Sequence, residues 1–417
     1  MNKEERSETL IYVSSDNHFL DDSINDKKES FEKIEKKGNG SFIRYNNEIN
    51  KAFFSQVIKE KPDVLILSGD LTYNGEKVSH ERMAKFLSNV EKLGKTKVLV
   101  IPGNHDISNP WSREFKGEEQ IPVENINKND FVNIYGDFGY NEAISRDKES
   151  LSYLSKINDD LWILMLDSTM FSYNSMMPTT EGEIKVSTLK WLAEIGEKAK
   201  EEGVTLISST HHNLYKHSSL IYKGYVLENV EEVIDTLEKA NIKVNLSGHL
   251  PVQTKEKDEN HHIYDIATGS LTSYPCQFGK IIYDRDNNKF TYEVSNVKVS
   301  DYAKDIGIED ENLLSFDTFQ REYFEYFSKM QAVSLLNWGY NYLEKDDIDN
   351  MSDVFAILNA DYFQGKPSEK FNEIIESEDF QLWRKNQTEL SGYIWSFKYL
   401  EDYTHLEIED FSDYKSK

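Results

Sequence analysis

Near residue 100 the chain reads VLVIPGNHDIS, an apolar run that ends in Gly103, Asn104, His105 and Asp106. An amide, an imidazole and a carboxylate in succession are groups that bind metal ions or move protons. The pattern recurs at four other places. LIYVSSDNH sets Asp16 and His18 after an apolar run, and DVLILSGD does the same for Gly69 and Asp70. VTLISSTHHN delivers His211 and His212, and KVNLSGHL delivers Gly248 and His249. Five apolar segments end in Asp, His or Asn, which points to one shared site.

Imidazole and carboxylate together suit borderline divalent ions such as Mn, Fe or Zn, whereas an oxygen-only set suits Mg or Ca. The set is too large for one tetrahedral ion. A carboxylate such as Asp70 can bridge two ions, and ions roughly 3.5 to 4 Å apart serve phosphoryl chemistry.

The order DxH, GD, GNHD, H, GH resembles the calcineurin-like metallophosphoesterases over roughly residues 8 to 300. GDLTYNGEK after the second motif, and the acidic helical tail, resemble a bacterial branch that includes cyclic-nucleotide-type phosphodiesterases. The resemblance implies an α/β fold, a four-layer αββα sandwich over residues 1–300, followed by an α-helical domain over residues 301–417. It implies that Asp16, His18 and Asp70 hold the first metal, and that Asp70, Asn104, His211 and His249 hold the second. His211 is preferred to His212 because the family's ligand directly follows the strand; His212 would orient it. His105 would be catalytic, facing the phosphate and stabilising or protonating the leaving oxygen. Asp106 would support the turn. A hydroxide shared by the ions, formed because metal lowers the pKa of water to about 7, would attack phosphorus in line.

The chain departs from the family at SGHLPVQ. Most members carry GHxH, whose second histidine completes the first site; here that position is Pro251, which has no ligating atom. The expectation is a weaker first ion, with water in place of the missing ligand. Gln253, two places further along, is expected to point elsewhere.

The elements that must position these residues are legible around them. Residues 98–101 are four apolar residues, three of them β-branched, and suit a strand covered on both faces. Ligands collect at the carboxyl ends of such strands in α/β sheets. Met83, Phe86, Leu87, Val90 and Leu93 follow helical spacing, as do Val230, Val233, Ile234 and Leu237. After His249, HHIYDIA, FGKIIYD and KFTYEVS read as strands, with a hairpin turn at Asn287 and Asn288, and are expected to complete a second sheet. His261 and His262 in that region read as structural or surface residues. Residues 107–160 form a long insertion containing Trp111, Phe131, Tyr135, Phe138 and Tyr140. Tyr135 and Tyr140 are candidates for supporting the site or stacking on substrate, although a packed turn suits them better. Glu76, Lys77 and His80 either line the cleft or begin a helix.

At 417 residues the chain has room for roughly two or three domains. Its net charge of −26 repels polyanions and leaves no basic nucleic-acid footprint, which favours a small phosphodiester or phosphomonoester over a nucleic-acid polymer. Residues 301–417 hold 26 acidic against 11 basic residues, more than half of that charge. There Phe316, Phe319, Tyr323 and Phe327 have helical spacing, and Trp338, Phe355, Trp383 and Trp395 continue an aromatic-rich region expected to form a helical core and a seam. No apolar run approaches the ~20 residues of a membrane span. The single cysteine, Cys276, forms no internal disulfide. The start MNKEERSETLIYV has no signal-like apolar segment; this suits a cytoplasmic protein, and equally one whose leader has been trimmed. Oligomeric state has no signature. The expected activity is hydrolysis of small phosphodiesters, cyclic nucleotides foremost. The competing expectation is a catalytically weak metal-binding or regulatory protein whose helical domain recruits a partner.

Overall fold

The strands that end in site residues divide between two sheets. The computed structural model describes residues 7–38, 40–219, 221–340 and 342–413. β1 (Glu8–Ser14) opens the first sheet, α1 (Glu29–Lys37) and α2 (Asn46–Glu60) lead to β2 (Val64–Leu67), and α3 (Lys77–Asn89) leads to β3 (Lys97–Val100). These strands pair in parallel, Val13 opposite Ile66 and Ile66 opposite Leu99. Their inner stretches, residues 11–13, 64–67 and 98–100, are almost wholly apolar and buried because both faces are covered. α2 covers the outer face, with Phe53 against Phe278 at 5.1 Å between ring centres. The helical stripe of α3 buries Met83 and Leu87, but Leu93, beyond the end of α3, is 62% exposed.

The insertion after β3 holds the hairpin β4 (Arg113–Lys116) and β5 (Glu119–Pro122), then α4 (Lys128–Tyr135), β6 (Ser145–Arg146) and β7 (Tyr153–Lys156). β8 (Leu161–Leu166), α5 (Val186–Glu202), β9 (Thr205–Thr210), α6 (Val230–Lys239), β10 (Val244–Ser247), β11 (Thr254–Glu256) and β12 (Tyr264–Ala267) follow. The second sheet runs β11-β12-β10-β9-β8-β7-β6. Alternate residues face opposite ways. Ile163, Met165, Ile207 and Leu246 share the core between the sheets, while Trp162, Leu164 and Leu206 pack with Leu192 of α5 and Val233 and Leu237 of α6. The layers are therefore helix, sheet, sheet, helix.

β13 (Gln277–Asp284) and β14 (Lys289–Asn296) correct the sequence reading. Of the three strands expected to complete the second sheet, only β12 enters it. β13 lies antiparallel to β1, Ile281 opposite Ile11, and β14 follows it around the turn at residues 285–288. Alternation reveals that one strand face is buried but not which sheet buries it; β1 offered an open edge.

The tail contains α7 (Val299–Asp305), α8 (Glu311–Leu314), α9 (Phe316–Gly339), α10 (Lys345–Phe363), α11 (Phe371–Glu376), α12 (Glu378–Lys385) and α13 (Ser391–Ser396). Its start forms a seam: Phe316 and Tyr323 each lie 5.3 Å from Phe42, and Phe319 lies 5.6 Å from Tyr45. Phe355, Trp383 and Ile394 form a second core that also takes in Leu250 and Val252, from the loop after His249. Trp338, by contrast, is 89% exposed. The tail is not wholly helical. β15 (His405–Ile408) returns to the first sheet and pairs with β14, Leu406 opposite Tyr292. Among the described residues no helix is long and apolar enough to cross a membrane.

Candidate metal centre

Asp16 follows β1, Asp70 follows β2, Asn104 and His105 follow β3, His211 follows β9 and His249 follows β10. Both sheets thus bring their carboxyl ends to one place. The backbone turns sharply there: Asp16, His18, Asp70 and His249 all have positive φ, between 41° and 65°. Left-handed backbone at four non-glycine residues of one site is the strain that the surrounding structure must hold in place. Hydrogen bonds from Asp16 N to Gly69 O (3.1 Å) and from His18 N to Asp70 O (2.9 Å) tie the first two loops together. The motif glycines allow the close approach. A Cβ on Gly103 would collide with the Asp70 carboxylate, and one on Gly248 with the Ser15 hydroxyl.

Asp70 is the hub. Its Oδ2 lies 3.4 Å from His211 Nε2, 3.8 Å from His18 Nε2 and 3.9 Å from His105 Nε2, while its Oδ1 accepts from His105 N at 2.8 Å. Two groups of side chains have donor atoms within 4.8 Å of one another, His18–Asp70–His105 and Asp70–His211–His249. Asp16 approaches the first group through His18, Oδ1 to Nε2 at 3.5 Å, while its Oδ2 accepts from Ser15 Oγ and His249 N. Asn104 Oδ1 is 3.1 Å from His211 Nε2. His105 thus stands as close to Asp70 as His18 does.

Hydrogen bonds to carbonyls set the imidazoles. His105 Nδ1–H donates to Tyr73 O (2.7 Å), leaving the Nε2 lone pair toward Asp70. His249 Nε2–H donates to Gly224 O (3.0 Å), which leaves the lone pair on Nδ1. Burial, reinforced by the neighbouring His211, pushes His249 down to about 3. His211 differs. Against the effect of burial, Asp70 raises it to about 9; its Nδ1–H donates to Ser68 O, and its Nε2 lies against Asn104 Oδ1. Burial opposes ionisation of Asp70, but the charge of His211 above all holds it well below the usual carboxylate range. A buried carboxylate that recruits a proton onto a neighbouring imidazole marks where a cation fits, because metal binding releases such protons. Mixed imidazole, carboxylate and amide donors complete that fit.

Other candidates lie around this centre. His212 has both nitrogens engaged, Nδ1 with Ser168 Oγ (2.7 Å) and Nε2 with Thr180 O (2.9 Å), and its ring lies 4.6 Å from that of His249. Asp106 accepts from Leu71 N, Thr72 N, Thr72 Oγ1 and Gly103 N, joining two motif loops. Tyr135 and Tyr140 do not line the cleft. Both are buried in the core, Tyr135 Oη bonding to His80 Nδ1, whose Nε2 reaches Thr72 and the Asp106 carbonyl. Glu76 and His80 are likewise buried at the start of α3, and Lys77 pairs with Glu124 on the surface. Gln253 turns away and accepts from Tyr292 Oη. His261 pairs with Glu238 at 3.1 Å, and His262 N donates to the same carboxylate.

A cleft of about 430 Å³ opens on Asp16, His18, Asp70, Asn104, His105 and His249. Pro251 also lines it, and the rest of its wall was not read from sequence: Tyr73, Thr180, Tyr225 and Thr272. Tyr225 lies in an irregular polar loop with no periodicity to mark it, although its ring is 4.5 Å from that of His249. Asn46 and Asn50 support the DxH loop, bonding the carbonyls of Asn17 and His18. Asparagines one turn apart in the first turns of α2 were the available signal for them.

Comparison with known proteins agrees with this geometry. Residues 9–253, more than half of the chain, match the calcineurin-like phosphoesterase profile, and residues 298–402 match the C-terminal domain of cyclic nucleotide phosphodiesterase. A Ruthia magnifica protein named a probable cyclic nucleotide phosphodiesterase is 40% identical over 65 residues, 15% of this chain and 26% of that protein. One from Arcobacter nitrofigilis named a probable glycerophosphodiester phosphodiesterase is 35% identical over 80 residues, 18% of this chain and 28% of that protein. The chain thus spans less than a third of the length of these curated relatives. The crystal structure of a dimetal phosphatase from Danio rerio aligns with a TM-score of 0.50 at 10% identity, covering 69% of this chain and 95% of that one, a likeness of fold. With the profile match, the sandwich and the five motifs at its strand ends in agreement, the chain belongs to the calcineurin-like phosphoesterase family.

Proposed function

We propose that this protein is a metal-dependent phosphodiesterase acting on small phosphodiesters, with cyclic nucleotides the leading class. The observation that carries the reading is the convergence of His18, His105 and His211 on the one carboxylate Asp70. Asp16, His18 and Asp70 would hold one divalent ion and Asp70, Asn104, His211 and His249 a second, as manganese, iron or zinc. Bound there, such ions supply Lewis-acid stabilisation of phosphoryl oxygens and a nucleophile near neutral pH. The chain's own residues do the rest. Asp70 keeps the two halves at a fixed separation, and Ser68 O and Gly224 O hold the His211 and His249 rings. His105, oriented by Tyr73 O, meets the leaving oxygen. Burial lowers its pKa, and the negative charge of an approaching phosphodiester favours the protonated form that donates from Nε2.

The substrate class rests on the match of the tail to a cyclic nucleotide phosphodiesterase domain, on the names of the relatives, and on a net charge of −26 that disfavours polyanions. Protein stripped with chelator and reloaded with manganese or zinc is expected to hydrolyse bis(p-nitrophenyl) phosphate and a cyclic nucleotide faster than p-nitrophenyl phosphate. Preference for the monoester would overturn the diesterase assignment. No turnover with two ions bound would favour a metal-binding regulatory protein.

A further inference from the structure

Beside the metal cleft lies a second cavity of about 310 Å³, and Gly38, Tyr225, Pro251 and Ser273 line both. The two are therefore adjoining compartments. Their chemistry differs completely. The cleft presents two carboxylates and three imidazoles, whereas no charged side chain lines the second cavity among the described residues. Its walls are rings: Phe324 from α9, Phe355 and Phe363 from α10, and Tyr393 from α13 face Tyr225 and Pro251 of the sandwich. Three of the polar side chains in it satisfy one another. Tyr393 Oη donates to Asn359 Oδ1 (2.8 Å) and Asn359 Nδ2 to Ser328 Oγ (3.0 Å), so what the cavity offers is mostly ring surface. Its size is at the lower end for small-molecule sites, roughly 300 to 1,000 Å³.

We propose that this cavity, built jointly by the helical domain and the sandwich, receives a planar aromatic ester group of the substrate, a heterocyclic base or an aryl ring, while the phosphate occupies the metal cleft. The inference rests on the phosphodiesterase reading above. It also gives Pro251 a role. At the position where most of the family carries a metal-ligating histidine, this chain has a rigid apolar residue on the partition between the compartments, so a metal donor is exchanged for substrate surface. Rings recognise rings through dispersion and quadrupole contacts that need no charge, which suits a wall with no ions.

Gln331, exposed at the rim of the cavity on α9, is the place to obstruct it. Steady-state kinetics are compared for bis(p-nitrophenyl) phosphate, 3′,5′-cyclic AMP and glycerophosphoethanolamine, whose esterified groups are an aryl ring, a sugar carrying a heterocyclic base, and aliphatic chains. In Gln331→Trp the kcat/KM ratio of each aromatic diester to the aliphatic one is expected to fall about tenfold, through KM, the size of a lost ring-stacking contact. Leu335→Trp, also at the rim, gives a second obstruction should the first variant fold poorly. Unchanged ratios in a folded variant, or a fall shared equally by all three diesters, would overturn the proposal. A fall confined to one aromatic diester identifies aryl or base as the ring preferred. Wild-type protein that turns over none of the three with two ions bound would defeat the phosphodiesterase reading instead. The cavity is then judged by the fluorescence of 2-aminopurine riboside: saturable binding weakened in Gln331→Trp supports it, and no saturable binding overturns it.

Discussion

On one side of Asp70, His211 and His249 each have a ring nitrogen tied to a main-chain carbonyl, that of Ser68 and that of Gly224. On the other side, His18 has a buried Nδ1 with no hydrogen-bond partner among the described residues, and its side chain is 24% exposed. A histidine ligand whose second nitrogen is hydrogen-bonded is held in orientation and made more basic; losing that partner typically costs about 10- to 100-fold in metal affinity. Pro251 lines the cleft onto which His18 opens. On the proposed assignment an absent ligand and an unsupported one would both weaken the ion held by Asp16, His18 and Asp70. The lesson is that a motif names the donors, but their quality is set by carbonyls that no motif contains.

The largest effect belongs to the residue common to both halves. Asp70→Asn is expected to abolish turnover, by more than about 10³-fold, and to lower the content of both metals, measured by elemental analysis after dialysis. His105→Ala separates the roles further. If His105 meets the leaving group, the variant keeps both metals and loses about 10²- to 10⁴-fold in rate. His105 Nε2 is only 3.9 Å from Asp70, nearly the distance of His18. A loss of metal as severe as in Asp70→Asn would make it a ligand of the poorer half-site and would weaken the contrast drawn above.

The next effect is on the contrast itself. Metal titration of chelator-stripped protein should show one tight ion and one bound about 10- to 100-fold more weakly. Pro251→His should tighten the weaker ion and leave the tight one nearly as it was. Two equal, tight ions in the unmodified protein would show that neither Pro251 nor the unpartnered His18 has the consequence assigned to it.

How much of this was readable beforehand depends on whether a feature is local. Asp16, Asp70, His105, His211 and His249 each follow an apolar run within a few residues, so the sequence displayed strand, turn and donor together. The αββα layering came with the family resemblance, and the helical stripes of α3 and α6 agreed with it. What failed was non-local. β13 and β14 were recognisable as strands, yet their sheet was decided by the open edge of β1, more than 250 residues away. The return of β15 to β14 was hidden in a tail whose composition is otherwise helical. The wall formed by Thr180, Tyr225 and Thr272 comes from loops whose positions depend on packing, and the aromatic character of Tyr135 and Tyr140 could not tell a core from a lid.

The smallest expected effect applies the same distinction between partnered and unpartnered atoms to stability. Glu76 is fully buried just before α3; its Oε2 accepts from Asn74 N (3.0 Å), while its Oε1 has no hydrogen-bond partner among the described residues. Burial raises this carboxyl from an ordinary 4.5 to about 7. Between those values the folded chain keeps a proton that the unfolded chain releases. The associated stability is fully present below the unfolded value and is lost as pH rises through about 7, an effect on the order of 1 to 3 kcal/mol. Glu76→Gln removes the ionisation while leaving an oxygen to accept from Asn74. In chelator-stripped protein, which excludes the field of bound ions, the thermal midpoint of the wild type should fall relative to that of Glu76→Gln between about pH 5 and pH 8. Parallel curves over that range would mean that the carboxylate is already ionised when buried, and hence that Oε1 is better satisfied than His18 Nδ1.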